Sequence, residues 1–128
     1  MELAIQFESK EPVRIRKIAE EYGIPSRFLV QILLQLKGAG LVSSTRGASG
    51  GYQLVRTPDS ITLADVMGVI EGKAHTIKSN AQRETPVSRT LLKVWNSAAK
   101  QQDEMLRSIT FADLVQKLAR QTDNMYYI

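Results

Sequence analysis

Two apolar stripes flank Gly23-Ile24, and their spacing limits what the chain can fold into more than any other feature. Ile15, Ile18, Ala19 and Tyr22 fall at i, i+3, i+4 and i+7, and so do Leu29, Ile32, Leu33 and Leu36. Each set makes one apolar face of an α-helix. Pro12 precedes the first stripe and Gly23 closes it, so a helix is expected over 13–22. A second is expected from about 25 to 37, ended by Gly38 and Gly40. Two short amphipathic helices joined by so tight a glycine-bearing turn read as a helix-turn-helix.

Two β-type runs follow, over 41–45 and 52–56, joined by the glycine-rich stretch "RGASGG". Glycine reaches positive φ without steric cost, so Gly47, Gly50 and Gly51 suit a bulged hairpin tip. Helix, helix, hairpin is the order of a winged helix-turn-helix, with the hairpin as wing. Thr62 and Asp65 then read as a capping box opening a helix over 63–71, closed by Gly72. Residues 73–85 are polar and aperiodic, as in a loop. Thr85-Pro86 opens a long helix to about 108, and Thr110 with Asp113 opens a last one to about 120. The expected fold is mainly α with a small β-hairpin: a winged helix-turn-helix DNA-binding domain over 1–72, a loop over 73–85, and a helical dimerisation region over 86–128 containing the long helix.

Enzyme chemistry finds no support in these letters. Gly47-Ala48-Ser49-Gly50-Gly51 satisfies the G-x-S-x-G pattern of a hydrolase nucleophile, and Asp65 and His75 follow in triad order. A nucleophile elbow, however, needs a strand before the serine and a helix after it within a parallel sheet. Here a strand-like run ending at Pro58 follows instead. A phosphate-binding loop is excluded as well, since no G-x-x-x-x-G-K-[ST] is present and no helix opens after the glycines. His75 is the only histidine and reads as a surface residue. There is no cysteine, so disulfides, Cys-ligated zinc and iron–sulfur clusters are excluded and no metal or cofactor is expected. No apolar run approaches the ~20 residues needed to span a bilayer. The first residues include Glu2 and Glu8 and form no apolar signal region, so no membrane association and a cytoplasmic location are expected. The formal charge of +4 is compatible with a nucleic-acid partner without requiring one.

In a helix-turn-helix the second helix enters the major groove and its first turns touch base edges. At 100° per residue Ser26, Arg27, Val30 and Gln31 point away from the stripe and are the base-reading candidates. Arg27 suits guanine, Gln31 adenine, and Val30 only a thymine methyl. The competing reading of this face is a merely solvated one. Arg46 beside the glycines is expected in or next to a minor groove, within a wing tip formed by Gly47, Ser49, Gly50 and Gly51. Arg14, Arg16, Lys17 and Arg56 are phosphate candidates, which position a protein without reading sequence. On the long helix Val87, Leu91, Val94, Trp95 and Ala98 share one broad face, expected to pack on the same helix of a second subunit. The expected partners are therefore double-stranded DNA and a second copy of the chain. An effector, whether a regulatory protein or a small molecule, is left open, because no pocket motif is present. The alternative is a winged-helix protein-interaction module that has lost DNA binding.

Residues 15–72 also resemble the Rrf2 family of bacterial transcription regulators. The resemblance is carried by Ile18-Ala19, Gly23-Ile24-Pro25, Phe28-Leu29, Gln31-Ile32-Leu33, Leu36-Lys37, Ala39-Gly40-Leu41-Val42, Arg46-Gly47, Gly50-Gly51-Tyr52, Ile61-Thr62-Leu63 and Ile70-Glu71-Gly72. It implies a sequence-specific regulator, typically a repressor, that binds a palindromic operator as a homodimer. Family members that hold an iron–sulfur cluster carry three cysteines where this chain has "KAHTIKSNAQRETPVSRT", so the resemblance implies a cluster-free member. The tail "DNMYYI" resembles that of the family's cysteine-metabolism repressors. Many relatives carry an acidic residue at the position of Val30, which implies a different base preference here. Members also begin earlier, so Met1 to Ser9 corresponds to the second half of a first helix, with Leu3 and Phe7 on one face.

Overall fold

The computed structural model describes residues 1–72 and 78–126. His75 lies outside them. The chain opens with α1 (Glu2–Ile5) and a single 3-10 turn, Phe7–Ser9, that ends at Lys10 with φ 58°. Leu3 is buried and Phe7 half-buried, but a turn at Gln6 separates them, so they do not share one continuous helix.

Helices α2 (Ile15–Tyr22) and α3 (Ser26–Gly38) form the helix-turn-helix. Gly23 sits in the left-handed region at φ 62° and directs the Ile24 N–H back to the Ala19 carbonyl at 3.0 Å. A β-carbon is disfavoured in that conformation, which is why glycine makes this turn. Helix α2 starts at Ile15 rather than at Val13. Val13 instead pairs with Tyr52 in an antiparallel bridge, through N–H···O bonds of 2.9 and 2.8 Å. Val13 is buried and its carbonyl, which a helix start would offer to the N–H four residues on, is taken by the Tyr52 N–H of the wing.

The wing consists of β1 (Val42–Thr45) and β2 (Gly51–Leu54), antiparallel, in register from Val42 opposite Leu54 to Thr45 opposite Gly51. The strand over 52–56 thus ends two residues earlier than its apolar letters suggest, and Val55 is left exposed. The core gathers Leu3, Val13, Ile18, Ala19, Leu29, Leu33, Leu41, Val42 and Ile61. The second stripe and Ile15, Ile18 and Ala19 of the first therefore face inward, whereas Tyr22, expected on the same face, is 49% exposed at the end of α2.

Beyond the wing, α4 (Leu63–Glu71) carries the Thr62/Asp65 capping box, and α5 (Pro86–Arg107) carries a Thr85/Ser88 box with Pro86 in its first turn. Helix α4 packs on α3 on one side and on α5 on the other. Helix α6 (Phe111–Tyr126) packs on α1 and on the 3-10 turn Pro58–Ser60. It continues six residues beyond Arg120, because "QTDNMY" is polar without containing a glycine or proline to stop it.

Candidate nucleic-acid interface

Helix α3 presents its first turns to solvent. Ser26, Arg27 and Gln31 are exposed, whereas Val30 is half-buried. Pro25 occupies the N-cap position and contributes no side-chain cap. The free N–H groups of that first turn, together with their share of the helix dipole, favour an anion. Two exposed apolar side chains on α3, Phe28 and Leu34, escaped the sequence reading. Both flank the stripe of Leu29, Ile32, Leu33 and Leu36, and only packing decides how wide the buried face is.

The wing tip runs over five residues, from Arg46 to Gly50, between the paired ends Thr45 and Gly51. The Gly50 N–H closes it on the Gly47 carbonyl at 3.0 Å. Arg46, Gly47 and Ser49 are all exposed. The glycines serve different ends. Gly50 has no positive φ, but a β-carbon there would overlap the Thr45 carbonyl oxygen. A β-carbon on Gly51 would stand 2.5 Å from the Val13 carbonyl oxygen, so glycine at that position lets the wing lie against the segment entering α2.

The wing is fastened to α3 directly. Lys37 Nζ donates to Ser44 Oγ at 2.7 Å, joining the last turn of α3 to β1. On the other side the Gln53 amide donates to the Lys10 carbonyl at 2.7 Å. Arg14, Arg16, Lys17 and Arg56 are exposed. Arg16 is already paired with Glu20, one helical turn on, at 2.9 Å. The i,i+4 spacing made that pair legible in the sequence. Arg14, Arg16 and Lys17 share one open surface depression with Glu20 and Glu21, which offset much of its positive charge.

Helix α5 uses two faces. Leu92, Ala99 and Leu106 are half-buried, and Ala99 and Leu106 line the groove against α4. The other face stays open: Val87 is 79% exposed, Leu91 and Val94 64% and Met105 65%, and Ala98 is exposed as well, while Trp95, 56% exposed, stands at its border and also lines the α4 groove. Val87, Leu91, Val94, Ala98, Gln101 and Met105 are spaced 4, 3, 4, 3, 4, a heptad repeat that is apolar except at Gln101.

An apolar cavity of about 440 Å³ lies under α3, and its lining holds only the hydrogen-bonded Glu2–Tyr22 pair as ionisable side chains. Among the described residues no helix is long and apolar enough to cross a membrane.

The family model for Rrf2, an iron-dependent transcriptional regulator, matches residues 1–117. The chain contains no cysteine, and no group of three or more His, Asp or Glu among the described residues could hold a metal ion. Among curated proteins the chain is 35% identical over 118 residues to the HTH-type transcriptional regulator CymR of Bacillus subtilis, covering 91% of this chain and 83% of that one. It is 33% identical over 115 residues to protein rrf2 of Nitratidesulfovibrio vulgaris, covering 84% and 73%. Among solved structures, that of B. subtilis CymR, the global cysteine regulator, superposes with a TM-score of 0.76 at 34% identity, covering 91% of this chain and 86% of the other. That of T. potens IscR gives 0.72 at 34% identity, covering 91% and 77%.

Proposed function

Since the chain belongs to the Rrf2 family of helix-turn-helix transcriptional regulators and is not an enzyme, we propose that it acts as a homodimeric repressor that binds a palindromic operator without an iron–sulfur cluster. The observation that carries this reading is the exposed polar start of α3, with Ser26, Arg27 and Gln31 free of the core and the wing tied beside it through Lys37 and Ser44.

In this reading α3 enters the major groove, where Arg27 meets guanine O6 and N7 and Gln31 meets adenine. Arg46 carries the wing into or beside a minor groove, where a narrow A/T-rich segment concentrates negative potential. Arg14, Lys17 and Arg56 neutralise phosphates, and Arg16 does so only by leaving Glu20. The open seam of α5 pairs with its copy, burying Leu91 and Trp95. A twofold dimer then reads two half-sites spaced by a multiple of about 10 base pairs. Residues 1–72 form the reading head, and 86–128 the pairing region.

Sequences selected from a random DNA library should be palindromic. Bound to such a site placed over a promoter, the protein should lower transcription in a purified system. Promoters of cysteine-supply genes are the first natural candidates, because the similar B. subtilis protein is a global cysteine regulator. Binding of comparable strength to every DNA sequence would overturn the proposal.

A further inference from the structure

Leu34 is 53% exposed on α3, although it sits in the third turn of a helix whose other leucines face the core. A lone exposed leucine on an arbitrary surface needs no explanation. Its position on this helix gives it one. It follows Arg27 by seven residues, which at 100° each brings it within about 20° of the same line, and it lies one turn past Gln31. Arg27 and Gln31 are exposed along that line, and after Leu34 it ends at Gly38, which has no side chain. Phe28, the other exposed apolar residue of α3, lies about 100° from the line. Val30 is half-buried, so part of its surface is already committed to packing.

We infer that Leu34 reads a thymine through its C5 methyl group, an inference that rests on the DNA-binding function proposed above. Leucine has neither donor nor acceptor, and the thymine methyl is the apolar feature that the major groove displays. Leu34 stands about 10 Å along the helix axis from Arg27, the rise of roughly three base pairs. The thymine read by Leu34 therefore lies about three base pairs from the base read by Arg27. Val30, nearer the helix start, plays the lesser part in apolar contact.

Deoxyuracil differs from thymine only by that methyl group, which makes it the direct probe. A preferred site is selected with the full chain, and each symmetric pair of its thymines is replaced in turn by deoxyuracil. One pair should lose about fourfold in affinity per half-site, the worth of one buried methyl-sized group. L34A should bind the thymine and deoxyuracil versions of that site equally, while ranking all other base variants as the unmodified chain does. L34M, which keeps an apolar side chain of similar volume, should retain the discrimination. Because Leu34 lies outside the core, all these variants should fold. The inference is overturned if no thymine is sensitive to loss of its methyl, if L34A keeps the full discrimination, or if V30A removes it while L34A does not. Failure of the unmodified chain to select any sequence would instead overturn the DNA-binding reading itself.

Discussion

Thr62 and Thr110 stand opposite one another in an antiparallel bridge. The Leu63 N–H donates to the Ile109 carbonyl and the Phe111 N–H to the Ile61 carbonyl, both at 2.9 Å. Each threonine also caps the helix that follows it, with Asp65 and Asp113 completing the two boxes. The starts of α4 and α6 are thereby stapled together beside Ile61, a fully buried core side chain. Replacing Thr110 by alanine removes a cap and loosens the staple, and should lower unfolding stability by about 1 kcal/mol. Denaturant melts at neutral pH measure it, and no change would show that α6 docks without its cap.

The same box gives a signed pH dependence. Hydrogen bonds from the Thr110 backbone and side chain hold the Asp113 carboxyl below the usual carboxylate range. A group whose pKa falls on folding stabilises above its unfolded value, and that contribution disappears as pH drops through the folded one. Stability should therefore decline on acidification below about pH 4, and D113N should flatten the decline. An identical acid profile for D113N would contradict the assignment.

Tyr22 donates its phenolic hydrogen to Glu2 Oε2 at 2.5 Å, joining the end of α2 to α1. That bond pushes the phenol up to about 12. The sign is opposite to that of Asp113: the contribution is complete below about pH 10 and is lost as pH rises toward 12. Y22F should cost about 1 kcal/mol at neutral pH, less than is usual for a bond to a charged group because Tyr22 is 49% exposed. Phenol absorbance followed through an alkaline titration should show one tyrosine ionising late, and Y22F should abolish that late component.

The open seam of α5 predicts a dimer in sedimentation at micromolar concentration. Trp95 borders that seam and also lines the groove against α4, and W95E should give monomer or insoluble protein. A soluble dimer from W95E would remove Trp95 from the interface.

How much of this was legible in the sequence differs by element. Both helical stripes, the Gly23 turn, the hairpin and the Thr62 box follow from local chemistry: period, caps and glycines act within a few residues. Val13 reads as helical in the sequence because its partner, Tyr52, lies far along the chain, and a bridge between distant residues leaves no periodic signal. The end of α6 lies beyond the expected Arg120 because "QTDNMY", though polar, holds no residue that stops a helix. Arg27 and Gln31 could be picked out from helical geometry, but the exposure of Leu34 and the Lys37–Ser44 tie depend on how α3 packs and where the wing folds back. The pairing of Arg16 with Glu20 was within reach of i,i+4 spacing and bears directly on which cations meet phosphate.

Arg27 and Arg46 do different work in the proposed complex, and equilibrium binding over a salt series and a panel of single-base operator variants separates the two. R27A should lose roughly 1–3 kcal/mol on the preferred site and relax preference at one position of each half-site, with nonspecific binding changed much less. R46A should weaken binding more evenly across sequences and reduce the slope of log affinity against log salt by about one unit per subunit. If R27A ranks every operator variant as the unmodified chain does, α3 does not read bases through that residue. If neither substitution changes binding at all, this winged helix serves a protein partner and not DNA.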